Sequence, residues 1–337
     1  MDTTQNPTFS VIMPCYNSAV YVRGALQSIL NQTYPHWELI AINDGSKDDT
    51  LTILNEYADA DPRVKVFSKA NGGYISAVNL GLEKITGDYF LLMGSDDALS
   101  TGLFQALRNV PGQPDCIAFR SVIVQDGKVQ GVERVTNFTE SVSAFGTTLA
   151  EFSRTYPGTS DILFTRDTSK CYKRSLLGDL RYFGKYGFDA DGIFSMLLCH
   201  NATSFAAIPE DGYFWTLRGD SLSGRKSFFE QDCDRVRNWT MFYNCLLNME
   251  ASQIATTEVQ YLYYVLEILR NTWQVKKPFF AFFSDARTAV NTINRILQKT
   301  GFPLEPSGET RLLLHAPLLW KLYVTTGLQK AKQRIKQ

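Results

Sequence analysis

Along the first hundred residues, short apolar runs alternate with stretches in which apolar side chains recur at helical spacing. Residues 9–13 (FSVIM) form an apolar run closed by Pro14, the pattern of a buried strand. Residues 19–31 carry Val22, Ala25, Leu26, Ile29 and Leu30 behind the cap-forming Asn17 and Ser18, which predicts a helix. Residues 37–43 predict a second strand closed by Asp44-Gly45-Ser46. Residues 48–58 predict a second helix through Leu51, Ile53, Leu54 and Tyr57. A strand over 64–68, the break Asn71-Gly72-Gly73, a helix over 75–84 and a strand over 89–93 continue the alternation. Such alternation predicts βαβ units in an α/β fold with a mainly parallel, doubly wound sheet. Ligands of these sheets bind at the carboxyl ends of strands. The polar clusters at 14–17, 43–46, 69–73 and 94–97 all fall there, so one site built from four loops is expected.

The pattern then changes. Residues 116–125 and 128–135 read as a hairpin about Asp126-Gly127. Residues 150–192 mix loops with short elements, and from about 227 the chain reads as helical. This sets an expected boundary between a domain over 1–224 and a helical region over 225–337.

Composition adds exclusions. The chain carries 34 basic and 34 acidic residues, unlike the basic excess of a nucleic-acid binder. The neutrality is uneven. Residues 311–337 hold six basic residues and no acidic one, leaving 28 basic and 34 acidic in 1–310. Leu312, Leu318, Trp320 and Tyr323 precede the basic end, a composition that suits a helix lying on an anionic membrane surface. A bundle helix with a solvated basic end is the alternative. No apolar stretch reaches the roughly 18 to 20 residues of a membrane span. Six scattered cysteines without a CxxC pair, and three histidines, argue against structural zinc. The first residues lack the basic and apolar regions of a secretory signal. A cytoplasmic protein with reduced thiols, peripheral on the inner face of the membrane, is the expectation.

Several residues carry candidate chemistry. Asp96-Asp97 at a strand end suits a hard divalent cation and, through it, a diphosphate; a solvated helix-capping turn is the plainer reading. Asp44 can accept hydrogen bonds from a base or ribose, or simply cap a helix. Asn71-Gly72-Gly73 lets backbone approach a ligand and leads into a helix N-terminus that favours anions; an ordinary loop is the alternative.

These residues carry a resemblance. The run 9–99 resembles the nucleotide-sugar-binding half of the family 2 glycosyltransferases with the GT-A fold. Five motifs stand in order: SVIMPCYN at 10–17, SILNQTYP at 28–35, ELIAINDGSKDDT at 38–50, NGG at 71–73 with NLG at 79–81, and SDD at 95–97. The resemblance implies a GT-A (Rossmann-like) sheet flanked by helices, with a nucleotide-sugar part at 8–100 and an acceptor part at 101–224. Pro14, Tyr16, Asn17 and Asp44 would hold the nucleoside, with Asp44 reading the base. Asn71 and Gly73 would approach the base or ribose. Asp96 and Asp97 would contact the ribose and a Mn²⁺ or Mg²⁺ on the diphosphate. Gly94 stands where the family often has an acid, and Val78 where it often has an arginine.

An inverting transfer needs a carboxylate base. The family's acidic pair resembles Asp189-Ala190-Asp191, with Asp191 at the base position and Asp189 as runner-up; a charged helix start is the alternative. Arg218 and Ser221 resemble residues that close over the diphosphate, against a plain surface arginine. No QxxRW motif occurs, so transfer of a single sugar from a UDP-sugar to a glycan or lipid-linked glycan is expected. Competing readings are a catalytically silent GT-A-like scaffold and a sugar-phosphate nucleotidyltransferase. The second wants a glycine-rich loop after the first strand, where Pro14-Cys15-Tyr16-Asn17 stands. No GxGxxG follows that strand either, which disfavours an NAD enzyme.

Overall fold

The computed structural model describes residues 6–133, 138–156, 163, 166–182, 189–218, 229–254 and 279–301. The chain divides into two compact units, Met1–Arg225 and Lys226–Gln337.

The first unit opens with the predicted alternation: β1 (Phe9–Cys15), α1 (Val22–Leu30), β2 (Trp37–Asp44), α2 (Thr50–Ala60), β3 (Val64–Lys69), α3 (Tyr74–Lys84) and β4 (Tyr89–Leu92). Short β5 (Ala98–Leu99) and α4 (Leu103–Arg108) follow, then the hairpin β6 (Cys116–Gln125) and β7 (Lys128–Val132). β8 (Val142–Phe145), α5 (Leu149–Thr155), β9 (Lys170–Lys173), α6 (Ala190–His200) and β10 (Ser204–Leu217) complete it.

The strands form one mixed sheet in the order β3-β2-β1-β4-β9-β6-β10-β5, with β7 on β6 and β8 on β10. β1 is parallel to both β2 and β4, and β2 to β3. Every residue of β2 is buried, as a strand covered on both faces requires. The parallel strands all end on one edge, and this brings the four polar loops together.

Two strands have no clear sequence signal. β9, four residues with a lysine at each end, runs antiparallel between β4 and β6. β10 spans 14 residues and contains Pro209. Its register with β6 shifts between Ile208 and Asp211, and such a bulge tolerates a residue that lacks an N–H.

The core is apolar and close-packed at the start of β1. Phe9 stacks on Phe104 at 5.2 Å and meets Tyr34 edge-on at 5.7 Å. One buried acid crosses this end of the sheet. Glu38 of β2 accepts from Ser10 Oγ at 2.6 Å, Thr86 N at 2.6 Å and Lys65 Nζ at 2.7 Å. Burial pushes its carboxyl up, but these bonds from Lys65, Ser10 and Thr86 win and hold it at about 2. Its folded value is thus below its unfolded one. The stabilisation is fully present above the ordinary carboxyl range and is lost as pH falls toward about 2. Glu38→Gln is expected to cost about 2 kcal/mol at neutral pH, after allowance for the half-exposed Lys65. Thermal melting checks this. The gap to the unmodified chain narrows as pH falls from about 5 to about 3. A gap independent of pH contradicts the account.

The second unit is helical where described. α7 (Phe229–Leu247) packs against α8 (Phe279–Thr300), and a short 3₁₀ turn at Ala251–Gln253 follows α7. Trp239, Phe242, Tyr243 and Leu246 of α7 are buried, as are Ala289, Val290, Ile293 and Ile296 of α8. No helix among the described residues is long and apolar enough to cross a membrane. The basic tail 311–337 lies outside the described residues.

Candidate active site

The first two loops lock onto each other. Asn17, in the left-handed region (φ 49°), donates its N–H to Ser46 Oγ at 3.1 Å. Its side-chain oxygen accepts Lys47 N at 2.8 Å. Ser18 N reaches Thr50 Oγ1 at 2.7 Å, and Ala19 N reaches Asp48 Oδ2 at 3.0 Å. The fourth loop joins through Ser18 Oγ and Ser95 Oγ, 2.7 Å apart. Asn17, read from sequence as a nucleoside contact, is engaged in building the loops. Pro14 lies near the end of β1, and the Tyr16 ring stands 47% exposed just beyond it.

Asp44 organises the third loop. Its Oδ1 accepts from Lys69 Nζ at 2.8 Å and Gly72 N at 2.9 Å, and its Oδ2 accepts from Gly73 N at 2.8 Å. Asn71 Nδ2 donates to the Asp44 carbonyl at 2.9 Å. The neighbouring Gly45 has φ 69°, and a Cβ there would lie 2.7 Å from Asn71 N, so only glycine fits this approach. Asp44, Asn71 and Gly73 therefore form one cradle that leads directly into α3.

The two acids of the fourth loop differ. Asp97 is buried; its Oδ2 accepts from Tyr213 Oη at 2.5 Å and its Oδ1 from Thr216 N at 2.8 Å. Burial, and then the neighbouring Asp96 charge, push its carboxyl up to about 7. Asp96 is half-buried and pairs with Arg218 Nη2 at 2.6 Å. The Arg218 guanidinium also lies 4.2 Å over the Tyr21 ring. A Cβ on Gly94 would fall 2.5 Å from Asp97 Oδ2 and 2.9 Å from Asp96 Oδ1. The two carboxylates thus occupy the space that a third acid would need.

No local sequence pattern marks Tyr213, because its partners lie more than a hundred residues away. Its hydroxyl donates to Asp97 and accepts Gly94 N at 3.1 Å. Tyr213→Phe leaves both groups short of a partner. It is expected to destabilise the first unit by about 1–3 kcal/mol, read by thermal melting. A melting point equal to that of the unmodified chain contradicts this role.

Asp191 stands in the first turn of α6, half-buried, with Oδ1 accepting Gly192 N at 2.9 Å. Asp189 precedes the helix in the left-handed region (φ 59°), and its carbonyl accepts Ile193 N at 3.0 Å. Burial raises the Asp191 carboxyl above its ordinary value; Gly192 opposes this and Asp189 adds to it.

Around Asp191 the fold gathers residues that carry no motif. Buried Asp167 accepts from the Tyr182 hydroxyl and, at 3.5 Å, from Tyr74 Oη. Burial and then Asp191 raise its carboxyl to about 7. Lys170 is fully buried and donates to the Arg166 carbonyl; burial lowers its ammonium to about 8. Arg166 pairs with Glu133, and its guanidinium lies 3.9 Å over Trp215. Tyr74, next to the Asp44 cradle, is the meeting point. Burial first, and then the charges of Asp167 and Asp191, raise its phenol. Among the described residues no cluster of three or more His, Cys, Asp or Glu side chains has metal-site geometry. The donor set available to a cation is the adjacent pair Asp96 and Asp97, two hard carboxylates of which the Asp96 charge raises the cost of ionising Asp97. Ser221 lies outside the described residues.

Polar loops gathered at the carboxyl edge of parallel strands are where α/β sheets of this class take their ligands. The family model described as Glycosyl transferase family 2 matches residues 10–181, and the chain belongs to that family. An uncharacterized glycosyltransferase of Haemophilus influenzae is 45% identical over 95 residues, which cover 28% of this chain and 38% of that protein. A putative teichuronic acid biosynthesis glycosyltransferase, TuaG of Bacillus subtilis, is 40% identical over 96 residues, with the same two shares. These matches span well under half of either relative's length. In structure, the chain is similar to residues 1–349 of S. aureus TarS in complex with UDP-GlcNAc, with TM-score 0.68 and 22% identity. That match covers 97% of this chain and 92% of the other. It shows the GT-A fold and bears out the expected mixed, mainly parallel sheet flanked by helices.

Proposed function

We propose that this chain is an inverting glycosyltransferase that moves a single sugar from a UDP-sugar to a hydroxyl of a glycan or lipid-linked glycan. The observation that carries the reading is that Tyr74, the first residue after the Asp44 cradle, reaches Asp167, whose other phenol partner Tyr182 stacks on Phe194 of the helix that bears Asp191. The likeness to a protein solved with UDP-GlcNAc supports a UDP-sugar donor.

In this reading Tyr16 and the Asp44 cradle hold the nucleoside, and the Gly72–Gly73 backbone limits the space for base and ribose. Asp191 takes the proton of the acceptor hydroxyl. That oxygen bonds to the anomeric carbon from the face opposite the diphosphate, the carbon–oxygen bond to UDP breaks, and the configuration inverts. Asp96 and Asp97 would hold Mn²⁺ or Mg²⁺, which when bound neutralises charge on the diphosphate. Arg218, already paired with Asp96, is placed to follow that charge. Residues 1–224 form the catalytic domain in this account. The basic tail 311–337 brings the enzyme to the inner face of an anionic membrane, and flotation of the chain with anionic liposomes tests that part. Equal flotation after truncation at Ser307 removes it.

The test of the main reading is a panel of UDP-, GDP- and dTDP-sugars with the full chain and Mn²⁺, read out by nucleotide release. Release from a UDP-sugar that rises with added acceptor glycan is expected. No release from any of the panel contradicts the reading.

A further inference from the structure

No acid among the described residues is more buried than Asp167, which is 1% exposed. None of the motifs includes it, and the transfer step outlined above gives it no part. A carboxylate so deep is costly unless hydrogen-bonded. Its Oδ2 is met by two phenols, Tyr182 and Tyr74. Each phenol belongs to a different part of the site. Tyr74 opens α3 directly after Gly73, whose N–H is held by Asp44. The Tyr182 ring stacks on Phe194 of α6 at 4.1 Å between centroids. Phe194 stands three residues after Asp191, on the same face of that helix. The backbone of Tyr182 is clamped by Asn79 of α3, which donates to its carbonyl at 3.0 Å and accepts its N–H at 2.9 Å. The two phenol rings meet edge-on at 6.3 Å.

We propose that Asp167 is a positioning residue for the transfer, coupling the nucleotide-holding start of α3 to the start of α6 that bears Asp191, through Tyr74 and Tyr182. The inference rests on Asp191 acting as the base. One buried carboxyl is the common acceptor of both rings, close to the Tyr182 hydroxyl and 3.5 Å from that of Tyr74. With the carboxyl gone, Tyr74 and Tyr182 lose their common acceptor and α6 loses its register against α3. A small displacement of the base is enough to slow transfer strongly. The cradle itself is held independently by Asp44, so nucleotide affinity does not depend on Asp167.

Charge gives a second signature. Asp167 faces Asp191, Lys170, Arg166 and Tyr74. Asp191 faces Asp189, Arg166 and Lys170 as well. Two acids therefore share two cations. Removing the acid at 167 leaves both cations to Asp191 and favours its ionisation, so the acid limb of the rate profile moves to lower pH.

The experiment uses the full chain with UDP-N-acetylglucosamine, or another UDP-sugar that the unmodified chain turns over. It measures UDP release against pH, UDP affinity by calorimetry, and melting. Asp167→Asn is expected to lower kcat by about 10²-fold, shift the acid limb downward and leave UDP affinity within about threefold. Asp167→Glu restores part of kcat. Tyr182→Phe, which removes only the hydroxyl, lowers kcat in the same sense and serves if Asp167→Asn does not fold. Unchanged kcat and pH profile in the variants overturn the proposal. So does a fall in kcat matched by equal losses of UDP affinity and melting temperature, which marks a structural role. An unmodified chain that releases no UDP from any donor fails the transferase reading, and the coupling with it. Turnover by the unmodified chain with equal turnover by the variants fails the coupling alone.

Discussion

Asp191→Asn is expected to lower sugar transfer by about 10²- to 10⁴-fold while leaving UDP affinity within about twofold. Asparagine has nearly the shape of aspartate and can still accept Gly192 N, so the start of α6 is preserved. It cannot take a proton. The nucleotide cradle lies on β2 and α3, and Asp191 makes none of its bonds. The pH dependence follows in sign. Burial raises the Asp191 carboxyl, and the base works only when ionised. Activity should therefore fall on the acid side at a pH above the ordinary carboxyl range, and this limb should be missing from the variant's residual activity. Steady-state rates against pH, with calorimetry for UDP, make the check. Transfer that survives in Asp191→Asn assigns the base to Asp189 or another group.

Asp44→Ala should weaken UDP binding by about 100-fold. Three donors converge on this one carboxylate, and two of them are the loop N–H groups that shape the cradle. Hydrogen bonds to a charged group contribute about 1.5–3 kcal/mol each, and losing the pair on Gly72 and Gly73 frees the loop before any ligand arrives. Lys69 also loses its ion-pair partner and keeps only the Ala70 carbonyl, leaving an uncompensated cation inside the site. Asp44→Asn should be milder, because one amide oxygen still accepts while the amide nitrogen meets a donor. Calorimetric titration of UDP ranks the three chains. Equal affinities in all of them contradict a cradle centred on Asp44.

The nucleotide side of the site was legible in the sequence because each of its parts ends a strand. Continuous apolar runs and period-3.6 patterns locate β1 to β4 and the helices between them to within a few residues. Parallel pairing then placed 14–17, 43–46, 69–73 and 94–97 on one edge without further information. Local side-chain duties were not legible. Asn17 reads as a ligand contact, yet its oxygen holds Lys47 N on the next loop. Arg218 reads as a fork for the diphosphate, and its pairing with Asp96 carries no sequence signal. The acceptor side hid more. Arg166, Asp167 and Lys170 follow no period, and Tyr182 and Tyr213 look like ordinary apolar positions. They reach the site because β9 inserts antiparallel between β4 and β6, and because β10 bends at Pro209. The run of alternating charge at 166–170 within an apolar surrounding was the available signal.

Gly94 bears on whether the site is active. A silent scaffold can lose an acid there without consequence. Here the glycine leaves room for Asp96 and Asp97 to fold back over it, which gives it a positive role in the two-carboxylate arrangement.

Calorimetric titration of UDP, GDP and dTDP into the full chain, with and without Mn²⁺, decides whether the site takes a uridine nucleotide. UDP is expected to bind with a dissociation constant of about micromolar order, more tightly than GDP or dTDP, and Mn²⁺ to strengthen it. Absence of binding by all three nucleotides, in the presence of Mn²⁺, would contradict this expectation.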